Sequence, residues 1–148
     1  MTNLFTVTLQ ATATQLSRIA GALAGEPVLS VTQLDDFTRT WRWIDFMLAP
    51  DFAKRAIARH FPLNQWGRAA TIMNCESGFA PAAHCLNCAG VEEDSRGLFQ
   101  INVNAHPWAA DWNLFDPDTN ARAARRVYDE AGGSWEPWSC AKRLGITS

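Results

Sequence analysis

The sequence predicts a mainly α fold with a small β element near its middle and an N-terminal helical extension. Three observations lead there. Apolar residues recur at helical spacing in several separate stretches, most of them closed by a glycine or a proline. Asp116-Pro117 sets an N-cap acceptor before a proline at a first helical position, and Gly132-Gly133 stands where that helix would stop. Between the helices, the chain from Ala80 to Arg96 reads as a loop, and Gly97 to Val103 mixes apolar and amide residues.

Taken in order, Phe5 to Leu9 alternates apolar and polar residues, as a short strand or extended arm would. Ala13 to Leu23 reads as a helix that stops at Gly25-Glu26-Pro27. Val31 to Leu48 carries Leu34, Phe37, Trp41, Ile44 and Leu48 at helical spacing, with Phe37, Trp41 and Ile44 as a core or docking stripe, and ends at Ala49-Pro50. A third helical piece runs from about Asp51 to His60, with Pro62 closing it. Asn64 or a neighbour is expected to cap the next helix, which buries Trp66, Ala69, Ala70 and Met73 and ends at Glu76-Ser77-Gly78. The last long helix spans Asp118 to about Ala131. Its inner side carries Ala121, Ala124, Val127, Tyr128 and Ala131, with Arg122, Arg125 and Arg126 outside.

A chain of 148 residues is long enough to bury a proper core as one domain. Its 47% hydrophobic and 19% charged residues are those of a globular protein, and a net charge of −2 gives no reason to expect a nucleic acid or an anionic membrane as partner. No run is long or apolar enough to span a bilayer. Met1 to Phe5 lacks a basic start, and Thr12, Thr14, Gln15 and Arg18 interrupt the apolar stretch, so no export signal is expected. Cys75, Cys85, Cys88 and Cys140 form an even set, able to make two disulfides.

Glu76 is the first candidate for chemistry. An apolar helical run delivers it to a rim closed by Gly78. Apolar surroundings disfavour a charged carboxylate and raise its pKa, which suits a general acid near neutral pH.

Glu76-Ser77-Gly78, Gly97-Leu98-Phe99-Gln100-Ile101-Asn102 and Asp116-Pro117 through Asn120-Ala121-Arg122-Ala123-Ala124 occur in one order. That order resembles the lysozyme-like fold of soluble lytic transglycosylases, goose-type lysozymes and phage muralytic enzymes, over about residues 62 to 141. Cys75-Glu76-Ser77-Gly78 and Trp138-Ser139-Cys140-Ala141 are similar to resuscitation-promoting factors, although Phe79 stands where that family has a second glycine. The resemblance implies a catalytic domain at 62–148, with 1–61 as an extension or docking arm. It also implies a Cys75–Cys140 disulfide.

The activity it implies is cleavage of the β-1,4 bond between N-acetylmuramic acid and N-acetylglucosamine in peptidoglycan glycan strands, with no cofactor. Glu76 would be the general acid. Ser77, Gln100, Asn102, Asn120 and Tyr128 would bind substrate or orient the acid. Lytic transglycosylases manage with one glutamate, whereas hydrolases need a second carboxylate. Of Glu92, Glu93 and Asp94, Asp94 is the expected second group. If Cys75 pairs with Cys140, Cys85 and Cys88 would make a local disulfide. A zinc site with His84 or His106 and a redox pair are the alternatives. Trp108, Trp135 and Trp138 are expected as core or sugar-stacking residues, with at least two in the core. A wall-degrading domain without an export signal suggests action outside the cytoplasm as a phage protein, virion-borne or released at lysis, with residues 1–61 meeting other virion proteins. A secreted bacterial protein fits as well. The rival from another class is a non-catalytic structural or binding module of the same fold.

Overall fold

The computed structural model describes residues 44–90 and 92–147. The expected strand at 5–9, the helix at 13–23 and most of that at 31–48 lie outside the described residues. Residues 44–48 are helical. Phe46 is buried there and Leu48 is exposed. Thr71 Oγ1 donates to Asp45 Oδ2 at 2.6 Å and ties this segment to the next helices.

Helix α1, Asp51–His60, follows Pro50 directly. Asp51 at its start and Arg59 and His60 at its end complement the helix dipole. Ala53, Ala56 and Ile57 form its buried face. The helix stops because Phe61 precedes Pro62, and a residue before proline is pushed to extended backbone; Phe61 sits at φ −113° and ψ 147°.

Helix α2, Trp66–Ser77, has no side-chain cap, contrary to the expectation at Asn64. A 3-10 turn at Leu63–Gln65 feeds straight into it. The side chain of Gln65 turns to the core instead, where it accepts from Trp135 Nε1 at 2.9 Å. Gly67, Ala69, Ala70, Ile72 and Met73 are buried, while Trp66 is half-buried against Phe46. Gly78, in the left-handed region at φ 60°, closes the helix as its sequence suggests.

The stretch read as a loop contains two short strands. β1 (His84–Leu86) and β2 (Asp94–Arg96) pair antiparallel, with His84 opposite Arg96 and Leu86 opposite Asp94. β3 (Ile101–Asn102) pairs antiparallel with the other edge of β2, placing Ser95 opposite Asn102. Strands of two or three residues are too short to show a period in sequence.

Helix α3, Pro117–Glu130, starts on the expected cap: Asp116 accepts from the Thr119 amide at 2.8 Å. Its buried face is Asn120, Ala121, Ala123, Ala124, Val127 and Tyr128, and it packs chiefly on α1. Ala131 is only half-buried, at the helix end. Helix α4, Ser139–Leu144, leans on α2 and is bonded to it through Cys75–Cys140. The core centres on Trp135, which stacks 5.1 Å from Phe61 and 4.9 Å from Tyr128. Among the described residues, no helix is long and apolar enough to cross a membrane.

Candidate active site

A cleft of about 230 Å³ opens between the end of α2, the sheet, α3 and the start of α4. Glu76, Glu93, Ser95, Gln100, Asn102 and His106 line it with polar groups, and Trp138 and Val127 with apolar ones. Two carboxyl groups therefore share one cleft, and they are Glu76 and Glu93.

Glu76 is half-buried at the last turn of α2. Its Oε1 accepts from the Cys140 amide at 3.2 Å, the start of α4. Loss of water around the carboxyl pushes its pKa up, and Glu93 adds to the rise; the Cys140 amide and the Arg143 guanidinium pull it back in part. The Cys75–Cys140 bridge, with Cα atoms 6.0 Å apart, joins the residue before Glu76 to the residue whose amide holds it. Arg143 Nη2 lies 2.8 Å from Cys75 Sγ, over the same bridge.

Strand parity separates Glu93 from Asp94. Side chains alternate along a strand, so Glu93 and Ser95 share the cleft side and Asp94 and Arg96 share the other. Ser95 is fully buried, and its hydroxyl donates to Glu93 Oε1. Asp94 instead accepts from Arg96 Nε at 2.9 Å and from Arg96 Nη2, and it meets His84 Nε2 at 2.8 Å. The Arg96 guanidinium, helped by His84, holds the Asp94 pKa down at about 2. A carboxylate so held is a permanent anion, and the structure does not bring Asp94 to the cleft with Glu76. The acidic run thus holds a cleft residue, Glu93, one position before the one expected.

Gln100 and Asn102 both line the cleft. Gln100 takes the left-handed φ of 48°, an uncommon conformation for a non-glycine residue. Its Nε2 donates to Gly97 O at 2.8 Å and Ala83 O at 3.2 Å. The side-chain carbonyl of Asn102 accepts from the Asn104 amide at 3.0 Å. Burial lowers the pKa of His106, which favours its neutral ring.

Asn120, Tyr128 and Ser77 are placed differently from the expectation. Asn120 is fully buried and clamps three backbone groups: it accepts from the Phe99 amide at 2.8 Å and donates to Arg96 O at 2.8 Å and Leu114 O at 2.9 Å. Against this clamp only glycine fits at position 97, because a Cβ there would lie 2.0 Å from Leu114 O and 2.4 Å from Asn120 Nδ2. Asn120 positions the Gln100 segment from behind rather than touching the cleft. Tyr128 sits in the aromatic core, edge-on to Phe61 at 6.0 Å, and no hydrogen bond joins it to Glu76 among the described residues. The hydroxyl of Ser77 donates back to Met73 O at 3.0 Å, within its own helix. Phe79, in the position of the second glycine, adopts a left-handed φ of 61° and packs its ring on the core.

Cys85 and Cys88 form the second disulfide, across three residues. Among the described residues, no group of three or more histidine, cysteine or carboxylate side chains could hold a metal ion. Trp135 and Trp138 are core residues, and Trp138 also donates to Phe99 O at 2.9 Å.

The family model of the lysozyme-like domain matches residues 54–140, more than half of the 148-residue chain. No curated protein and no solved structure matches the chain. A mainly helical body, a small antiparallel sheet and a glutamate at the cleft agree with that match. The chain belongs to the lysozyme-like domain family, whose activity is in general that of glycosidases acting on peptidoglycan.

Proposed function

We propose that this protein cleaves the β-1,4 bond between N-acetylmuramic acid and N-acetylglucosamine, with Glu76 as the proton donor. The observation that carries this is the environment of Glu76: a carboxyl whose pKa is raised by loss of water, held by one backbone amide, in a polar cleft. The Cys140 amide engages Oε1, which leaves Oε2 to meet the glycosidic oxygen. Bond cleavage moves the proton from Glu76 to the leaving sugar as the ring develops oxocarbenium character. Gln100 and Asn102 supply amides suited to N-acetyl and hydroxyl groups.

The carboxylate left on Glu76 then acts as base. In transglycosylation it takes the proton of the sugar's own 6-hydroxyl, which attacks the anomeric carbon. In hydrolysis water attacks, and a second carboxylate on the cleft serves it; Glu93 fits that role better than Asp94, whose charge is spent on Arg96. Either reaction implies action outside the cytoplasm, where the glycan lies.

Digestion of purified sacculi followed by mass spectrometry of the soluble products tests the proposal. Wild type is expected to release disaccharide-peptides, and Glu76→Gln none above background. Equal release by both would overturn the assignment and favour a non-catalytic module. Products lighter by one water than reducing ends would identify the transglycosylase reaction.

A further inference from the structure

Arg122 and Arg126 stand four residues apart on the exposed side of α3, so they share one face one turn apart. Trp108 and Trp112 repeat the same spacing in the segment before the helix. The two pairs interleave. The Arg122 guanidinium lies 4.3 Å from the centre of the Trp112 ring, and that of Arg126 lies 4.0 Å from Trp108. The two indoles meet edge-on at 5.3 Å, and His106, which lines the cleft, is 5.7 Å from Trp108. A two-step ladder of cations therefore begins at the cleft edge and runs along α3.

Each guanidinium rests on an indole, which holds it in place before any ligand arrives. The indoles themselves pack against the core, so these two tryptophans are not a stacking platform for sugars. Arg126 gives its Nε to Glu130 at 2.7 Å, and its two Nη groups make no hydrogen bond among the described residues. Arg122 has no carboxylate partner among the described residues. Planar N–H edges held in a fixed position match a carboxylate, and part of the entropic cost of ordering them is already met. Neutral sugars offer nothing ionic to such a site. The cleft, in turn, carries Glu76 and Glu93 and repels anions.

We propose that Arg122 and Arg126 form a subsite for the carboxylates of the peptides attached to the glycan. The inference rests on the glycosidase reading above and adds the residues that would sense the peptide. If the ladder only pinned residues 105–112 to α3, its loss would weaken cleavage of every substrate alike.

The test compares kcat/KM on peptide-bearing glycan strands with that on the same strands whose peptide carboxylates are blocked as methylamides, after acetylation of their free amines. Wild type should prefer the unblocked strands. Arg122→Gln and Arg126→Gln should each lose about three- to five-fold on them, the range of an exposed ion pair, through KM. The blocked strands should be cleaved as before, and Arg122→Lys should keep part of the preference. A ratio unchanged in the glutamine variants, including an equal loss on both substrates, would overturn the proposal. Co-sedimentation of Glu76→Gln protein with intact sacculi and with sacculi whose peptide carboxylates are blocked as methylamides reads the subsite without turnover. Preferential retention on intact sacculi that falls when Arg122 and Arg126 are changed supports it, and equal retention refutes it. Should wild type cleave neither substrate, only the glycosidase reading would fail.

Discussion

At the rim of α2 the Glu76 carboxyl loses water and gains one amide; on the far side of β2 the Asp94 carboxylate gains a guanidinium and a histidine. The same functional group is thus driven in opposite directions, up by burial in one place and down to about 2 by Arg96 in the other. The difference shows what makes a carboxyl able to donate a proton. Desolvation must outweigh the nearby cation, as it does over Arg143 at Glu76, and a direct ion pair removes that ability. Glu93, one residue from Asp94, lies on the cleft side because strand alternation puts it there.

The comparison breaks most completely at Glu76. Glu76→Gln should lower turnover by at least about 10²- to 10⁴-fold, the usual contribution of a general acid, measured on released muropeptides. Stability should move the other way. A pKa raised on folding contributes stability at low pH that is lost as pH rises through the folded value. At neutral pH the ionised Glu76 is therefore a cost, and the glutamine variant should melt no lower than wild type in calorimetry.

Next comes the bridge that holds the acid. The Cys75–Cys140 bond closes a separation of 65 residues, and its removal by Cys75→Ser with Cys140→Ser should cost about 4 kcal/mol by loop entropy. Denaturant unfolding measures it. Asn120→Ala should cost about 2–3 kcal/mol, because the Phe99 amide and the Arg96 and Leu114 carbonyls lose their buried partner. Its turnover should fall as the Gln100 segment shifts, with the pH profile unchanged.

The smallest effect belongs to Asp94. Asp94→Asn should leave kcat within about two-fold, since Asp94 does not line the cleft. Its depressed pKa contributes stability that is present above the ordinary carboxylate value of 3.8 and is lost as pH falls toward about 2. The variant should therefore differ from wild type in thermal melts at neutral pH and converge with it in acid. A large drop in kcat would restore Asp94 to the chemistry.

Much of this was legible in the sequence where a local rule governs. Asp116-Pro117 and Gly78 act through capping and backbone φ, which need no tertiary partner, and the structure keeps both. The order of the Glu76, Gln100 and Asn120 segments carried the family. The choice between Glu93 and Asp94 was not visible, because β2 spans three residues and its parity depends on pairing with β1 and β3. Asn120 was legible as important but not as a clamp: its three partners are backbone groups from separate segments, and backbone leaves no mark in sequence. Likewise nothing local reveals that Gln65 serves Trp135 rather than Asn64 capping α2.

The most direct measurement is a titration of the side-chain carboxyl carbons by NMR, with Glu76 and Asp94 followed in one sample. Glu76 should titrate above 4.5 and Asp94 near 2, and Glu93→Gln should lower the Glu76 value while leaving Asp94 in place. A Glu76 pKa at or below 4.5, or one indifferent to Glu93, would contradict the account of Glu76 as the buried acid of the cleft.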